Sequence, residues 1–157
     1  MADTSPTRMT GLLTVRDQMM AHNLLARAAG GPALVHAHNS HLQREKSGMR
    51  RGGTELEWWD TGSLVSERLG ERYAFVPTAL GTIRHQGVRT PERHTVEGLL
   101  YDLPQDPCVV DTRRLAAALA DRHIEPRVSP WFGYASLDPT RLVAYDALVF
   151  VKDATRT

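Results

Sequence analysis

The apolar residues of the first thirty positions recur at helical spacing. Met20, Leu24 and Ala28 lie four residues apart, with Leu25 beside them, and this pattern predicts an amphipathic helix over about residues 15–29. The run Gly30-Gly31-Pro32 then ends the helix, because glycine and proline both interrupt helical backbone. Residues 1–10 are polar and contain proline, so we predict that they form a disordered lead.

A short apolar run follows this helix stop. It covers residues 32–35 and predicts the start of a buried strand. Because side chains alternate across a strand, His36 and His38 would share one face. The next two residues suit a turn, and His41 falls just past the strand end, where α/β folds place their ligands.

The remaining chain alternates short helical and extended patterns, and residues 43–57 are polar and glycine-rich, which indicates an exposed loop. Helices are predicted at residues 63–69, after Thr95 and at residues 113–122, and strands at residues 73–76, 108–110 and 145–151. This alternation predicts an α/β fold, with a mixed or mostly parallel sheet flanked by helices. We find no repeat or linker, so a single domain is expected over residues 11–157.

Composition excludes several classes of protein. The 19 basic and 18 acidic residues leave a net charge of +1, which argues against a nucleic-acid partner bound through a broad basic surface. No apolar segment has the length of a membrane span, and the first residues lack the apolar core of a signal peptide. The lone Cys108 excludes an internal disulfide. We therefore expect a cytoplasmic protein with no membrane partner.

Three histidines lie within six residues, at positions 36, 38 and 41. Imidazole exchanges a proton near neutral pH, so a cluster at a predicted strand end suggests the active site of a hydrolase. The same spacing is compatible with a metal-dependent hydrolase, although the nearby Glu45 lies in a basic stretch typical of a solvated surface. A purely structural role for these histidines stays open as well.

Other catalytic patterns are missing from the sequence. Neither Gly30-Gly31-Pro32 nor Gly52-Gly53 has the spacing of a phosphate-binding loop, and there is no Gly-x-Ser-x-Gly motif of a serine esterase. A histidine base is usually oriented by a carboxylate. None of the 18 acidic residues lies at a spacing that identifies it as that group.

Four blocks of sequence occur in order between residues 12 and 155. They are Arg16-Asp17-x-x-Met20-Ala21-x-Asn23, Ala37-His38-Asn39-Ser40-His41-Leu42, Leu69-Gly70-x-x-Tyr73-Ala74 with Ala79-Leu80-Gly81, and Tyr145-Asp146-Ala147-Leu148-Val149-Phe150. With these blocks the chain resembles the carboxy-terminal half of the erythromycin esterase family. The pair Trp58-Trp59 resembles one branch of that family.

The resemblance implies a metal-independent hydrolase that needs no cofactor and opens a macrolide lactone or another small ester. In such enzymes a histidine acts as general base on water. His38 and His41 occupy the active-site histidine positions of the family. The residues expected to bind substrate or support these histidines are Arg16, Asn23, Asn39, His36, Trp58 and Trp59.

The chain also departs from the family pattern, because members are far longer and carry another catalytic histidine and acidic residues in their amino-terminal half. Three explanations are open: a fragment, a shortened descendant completed by a missing half or by a second copy, and a protein that has lost the reaction. The alternative function is an incomplete small-molecule binding or interaction module. In that case the histidines and Trp58-Trp59 would only shape a pocket.

Overall fold

The computed structural model describes residues 5–51, 53–131 and 133–155, and it shows helices combined with two open sheets. The predicted α/β class is confirmed, with one mixed sheet that contains parallel strands. The helices are α1 (Pro6–Ala28), α2 (Asn39–Leu42), α3 (Thr61–Leu69), α4 (Val96–Tyr101) and α5 (Thr112–Leu119). The strands are β1 (Ser47–Arg51), β2 (Thr54–Trp58), β3 (Thr78–Thr82), β4 (Cys108–Val110) and β5 (Leu148–Asp153).

The chain forms two compact units, Met1–Tyr73 and Ala74–Thr157. The first contains α1 to α3 and the antiparallel hairpin of β1 and β2, and the second contains the three-stranded sheet with α4 and α5. The single domain that we expected over residues 11–157 stays a prediction.

Helix α1 begins earlier than its apolar pattern predicts. The side chain of Ser5 accepts a hydrogen bond from the backbone N–H of Arg8 at 3.3 Å, and Pro6 occupies the first turn. Both residues favour a helix start, because the cap satisfies a free N–H and proline has none to satisfy. Residues 6–10, which we assigned to a disordered lead, are therefore helical. Residues 1–4 of that lead lie outside the described residues.

Two sequence-based predictions for the first unit are wrong. Residues 32–38 form no strand, and Leu34 is fully exposed. A short apolar run becomes a strand only where a neighbour pairs with it and buries it. The predicted loop at residues 43–57 instead contains the hairpin, in which Ser47 pairs with Trp58 and Arg51 with Thr54. Alternate burial in β2, where Leu56 and Trp58 are buried, stabilises this hairpin.

In the second unit, β5 lies between β3 and β4. It is parallel to β3 and antiparallel to β4, so Phe150 pairs with both Ala79 and Cys108. Leu148 and Phe150 are completely buried. The predicted strand at residues 108–110 is confirmed, whereas the strand predicted at residues 73–76 lies at β3 instead. Helix α4 is capped by Thr95, as its sequence predicts.

A buried arginine, Arg127, connects β3 with the loop that follows it in the second unit. The guanidinium of Arg127 donates hydrogen bonds to the carbonyl oxygens of Leu80, Gly81 and Arg89 at 2.6, 2.7 and 2.5 Å. Only 6% of Arg127 is exposed. Such charge-assisted bonds hold the buried guanidinium against two carbonyls of β3 and one of the loop that follows it.

The longest helix of the described chain is α1, with 23 residues. Within residues 5–51, 53–131 and 133–155, no helix combines the length and apolar character required to cross a bilayer.

Candidate active site

The carboxylate of Asp17 is completely buried on α1, one turn before the buried Ala21. Its Oδ1 accepts a hydrogen bond from the hydroxyl of Thr61 at 2.8 Å, and its Oδ2 accepts one from the indole Nε1 of Trp58 at 2.9 Å. The guanidinium of Arg16 donates to Oδ2 at 2.8 Å. Helix α1 therefore meets β2 and α3 at a single carboxylate.

These contacts determine the charge of Asp17. Burial opposes ionisation, but the hydrogen bonds from Arg16, Thr61 and Trp58, together with the positive charge of Arg16, outweigh it and lower the pKa below its ordinary value of 3.8. Asp17 is thus a carboxylate at neutral pH.

His38 begins the short helix α2. Its Nδ1 accepts the backbone N–H of Ser40 at 3.3 Å and lies 2.8 Å from the Ser40 hydroxyl oxygen. A ring nitrogen that accepts a backbone N–H carries no proton, so the proton of a neutral His38 is on Nε2. His38, which we predicted to lie at the end of a strand, is therefore the N-cap of α2, and its neutral form carries the proton on Nε2.

His41 lies in the last turn of α2, between His38 and Asp17. The two imidazole ring centres are 6.3 Å apart with their planes inclined at 69°. Nδ1 of His41 lies 3.7 Å from Oδ1 of Asp17 and is buried, and no described residue hydrogen-bonds to it. About 29% of the His41 side chain remains exposed. One edge of the ring thus faces the carboxylate and the ring is accessible.

Burial is also the main influence on the charge of His41. It lowers the pKa below the ordinary 6.5, and the positive charge of Arg16 adds to this effect. Attraction to Asp17 acts in the opposite direction and is weaker. His41 is therefore a neutral imidazole at neutral pH, the form that accepts a proton.

A second buried carboxylate, Asp60, lies under this turn. Its Oδ1 accepts the backbone N–H of Ser63 at 3.0 Å and so caps α3, and its Oδ2 lies 2.7 Å from the hydroxyl of Ser47. Burial raises the pKa of Asp60 to about 6 despite these hydrogen bonds, and the nearby negative charge of Asp17 contributes to the rise.

Close packing between α2 and α3 depends on Gly62. A methyl group at this position would overlap the carbonyl carbon of Leu42 and the carbonyl oxygen of Gln43. Both atoms belong to backbone, which cannot move aside as a flexible side chain can. The end of the histidine helix therefore rests directly on the backbone of α3.

We expect Gly62→Ala to destabilise the protein by about 1–3 kcal/mol, because overpacked backbone must shift. Gly11→Ala is the matched control: this glycine is also helical, and a methyl group there meets nothing within 4 Å. The control should stabilise α1 by about 0.5–1 kcal/mol, since alanine is the better helix former. Urea unfolding of both variants measures the contrast, and equal stabilities would contradict the packing argument.

Some of the other predicted site residues lie beside Asp17, and others lie on the exposed surface. Arg16 and Trp58 contact Asp17 directly, and Asn39 is the half-buried first residue of α2. Trp59 is 54% exposed, with the Lys46 ammonium 5.1 Å above its ring. The two remaining residues, Asn23 and His36, are exposed. The assignment of all six residues to substrate binding or support stays a prediction.

A groove of about 580 Å³ lies beside Trp59 in the same unit. Its walls combine one aromatic ring with hydroxyl, basic and acidic side chains, contributed by Arg44, Trp59, Ser63, Leu64, Ser66, Glu67 and Gly70. Trp59 and Leu64 give the groove apolar surface, and its hydroxyl and charged side chains can hydrogen-bond a ligand.

The metal-dependent hypothesis requires three ligands at coordinating distance. Within the part of the chain that the structure describes, no three His, Cys, Asp or Glu side chains are grouped so that they could hold an ion. His36 is exposed in the extended segment that precedes α2.

Sequence reasoning missed Asp17 and Asp60, the two buried carboxylates of this site. Asp17 lies four, seven and eleven residues before Ala21, Leu24 and Ala28, so a charged residue occupies the apolar stripe of α1. That position is a usable signal, because a buried charge needs a partner. For Asp60 the signal is its place three residues before Ser63, which is helix-capping spacing.

Comparison with known proteins gives one match. A family model described as erythromycin esterase matches residues 1–154. No curated protein and no solved structure matches the chain.

Proposed function

Because the chain belongs to the erythromycin esterase family, we propose that it is a hydrolase domain that splits a small carboxylic ester or macrolide lactone with water. One observation carries the proposal: the accessible imidazole of His41 lies beside the buried carboxylate of Asp17 and 6.3 Å from the ring of His38. Histidine next to a carboxylate is a recurrent arrangement of general-base catalysis.

His41 is the base in this mechanism. The Asp17 carboxylate favours the tautomer with the proton on Nδ1, which faces it, and so leaves the lone pair of Nε2 for water. The separation of 3.7 Å exceeds a hydrogen bond, and catalytic contacts often shorten when substrate binds. Because the pKa of His41 is lowered, the base is already neutral at neutral pH.

His38 has the complementary tautomer. Its Nδ1 is engaged by Ser40, so its Nε2–H is a donor for the oxygen that becomes negative during attack. Water forms a bond to the acyl carbon while its proton moves to Nε2 of His41. That proton then passes to the leaving alkoxide as the ester bond breaks, and the products are a carboxylic acid and an alcohol.

The supporting residues have two different tasks. Arg16 and Trp58 hold the carboxylate of Asp17 in one orientation, and thereby the edge of His41 that faces it. The exposed ring of Trp59 supplies an apolar surface for the body of the substrate, next to the groove.

The test compares His41→Ala, His38→Ala and the control His22→Ala in the full chain, assayed against activated esters and macrolide lactones. Loss of the base or of the donor should lower the hydrolytic rate by at least about 10²-fold. His22 is an exposed histidine on α1, so its variant should match the parent. Unchanged turnover in both site variants, or an equal loss in all three, would contradict the assignment.

The groove beside Trp59 favours a second candidate function, small-molecule binding without turnover. Calorimetric titration with a macrolide tests it. Binding that Trp59→Ala removes, combined with no product at any enzyme concentration, would support the binding module over the hydrolase.

A further inference from the structure

The hydroxyl of Ser47 lies between two oxygen acceptors. Its Oγ is 2.5 Å from the carbonyl oxygen of Ser40 and 2.7 Å from Oδ2 of Asp60. The amide Nε2 of Gln43 donates to the same Oγ at 3.2 Å. Three groups thus converge on one hydroxyl, and two of them normally accept hydrogen bonds.

Counting protons decides how these contacts are made. A serine hydroxyl has one proton to donate. If Asp60 were ionised, Ser47 would donate to the carboxylate, since charge-assisted bonds are stronger, and the Ser40 carbonyl would face another oxygen at 2.5 Å with no proton between them. If Oδ2 of Asp60 holds a proton, Asp60 donates to Ser47 and Ser47 donates to Ser40. Each short contact then contains one proton.

We propose that Asp60 is a positioning residue, which in its acid form holds the His38–His41 turn in place through the Ser47 hydroxyl. The effect of this on catalysis rests on the proposed function. The hydrogen-bond chain itself does not depend on that function and can be tested separately.

The hydrogen-bond chain from Asp60 through Ser47 ends at the Ser40–His41 peptide group, which lies in the middle of the His38–His41 turn. The Ser40 carbonyl belongs to the peptide unit whose N–H is that of His41, and this N–H donates to the carbonyl of His38 at 2.9 Å. The N–H of Ser40 holds Nδ1 of the His38 ring. A change at the Ser40 carbonyl therefore reaches both imidazoles through rigid backbone.

The groups that influence Asp60 come from α1, β1 and α3. Helix α1 contributes Asp17, whose negative charge raises the pKa of Asp60, and Asp17 is itself paired with Arg16. Ser47 of β1 and Ser63 of α3 are hydrogen-bonded to its carboxyl group. Burial is the largest influence and raises the pKa to about 6.

The sign of the pH dependence follows from this shift. The pKa of Asp60 is higher in the folded protein than its ordinary 3.8. Protonated Asp60 therefore stabilises the folded protein fully below about pH 3.8, and this stabilisation is lost as pH rises through about 6. Above that pH, Ser47 donates to the carboxylate and the Ser40 carbonyl loses its donor. The hydrogen bond to the Ser40 carbonyl is therefore present in mild acid and lost near neutrality.

The experiment is an NMR titration of the full isotope-labelled chain, following the side-chain carboxyl carbon of Asp60 and the carbonyl carbon of Ser40. Asp60 should titrate near pH 6, and the carbonyl carbon of Ser40 should show an inflection at the same pH. Asp60→Asn keeps a donor toward Ser47 and an acceptor for Ser63, so it should keep the turn intact and remove the Ser40 inflection. Ser47→Ala should uncouple Ser40 while Asp60 keeps a raised pKa.

Asp111→Asn is the matched control, because Asp111 caps α5 in an exposed position. It should leave the titration of Asp60 and the Ser40 inflection unchanged. Two results in the parent protein would overturn the proposal: titration of Asp60 near pH 4, or a Ser40 carbonyl-carbon shift that does not change as Asp60 titrates. A Ser40 inflection that persists in Asp60→Asn would overturn it as well. If the chain hydrolyses no ester but the coupled titration is present, only the proposed function fails.

Discussion

Asp17→Asn is expected to lower the rate of ester hydrolysis by about 10⁴-fold, the order of loss seen when an orienting carboxylate becomes an amide. The amide has no charge to favour the proton on Nδ1 of His41, and an amide N–H facing the ring would favour the opposite tautomer. Nε2 would then carry the proton and could not accept one from water. Steady-state kinetics across pH 6 to 9 on a responsive ester measures the loss.

The same variant should be less stable by about 2–3 kcal/mol at neutral pH. An amide has one acceptor oxygen, whereas Asp17 accepts from Trp58, Thr61 and Arg16 on two oxygens, so at least one buried donor loses its partner. Because the pKa of Asp17 is lowered in the folded protein, this contribution is present above about pH 3.8 and disappears as pH falls through the lower folded value.

Thr61→Val separates the two effects. It removes one hydrogen bond to Oδ1 of Asp17 but keeps the carboxylate, so we expect lower stability with a rate loss far smaller than that of Asp17→Asn. If Asp17→Asn unfolds more easily but hydrolyses the ester at the parental rate, the carboxylate serves packing alone and the mechanism is wrong.

Arg127→Met is expected to reduce the stability of the second unit by about 3 kcal/mol. Methionine approximates the length of the arginine stem but leaves the carbonyls of Leu80, Gly81 and Arg89 without the donor that reaches them. Buried carbonyls without partners carry the full cost of their lost hydration. Chemical unfolding followed by circular dichroism gives the change in free energy.

Arg113→Met is the control for this variant, because Arg113 is exposed on α5. Its stability should change by less than about 0.5 kcal/mol. Equal midpoints for the two variants would show that the three carbonyl contacts contribute little to the folded state.

Local chemistry explains which elements could be predicted from sequence. Helix α4 begins where Thr95 supplies a cap, and α5 begins after Asp111 for the same reason. Capping involves neighbours within three residues, so sequence is enough. The strand predicted near residues 32–35 failed because strand formation needs a distant partner, and Leu34 has only solvent around it.

The candidate site also combines features that are local in the sequence with contacts between residues far apart in it. The proximity of His38 and His41 could be predicted because both lie in one short motif and share a single helical turn. The partners of Asp17 lie 41 and 44 residues along the chain, at Trp58 and Thr61. Only the packing of α1 against β2 and α3 brings them together, and no local spacing encodes that packing.

Asp17 also limits what can be concluded when relatives of this protein are compared. It joins three secondary-structure elements through hydrogen bonds and faces a fourth at His41. Natural selection for a folded protein would therefore retain this aspartate even in a lineage that no longer cleaves any ester. Its presence in a homologue is evidence of a preserved scaffold, and the histidine motif is the better indicator of retained chemistry.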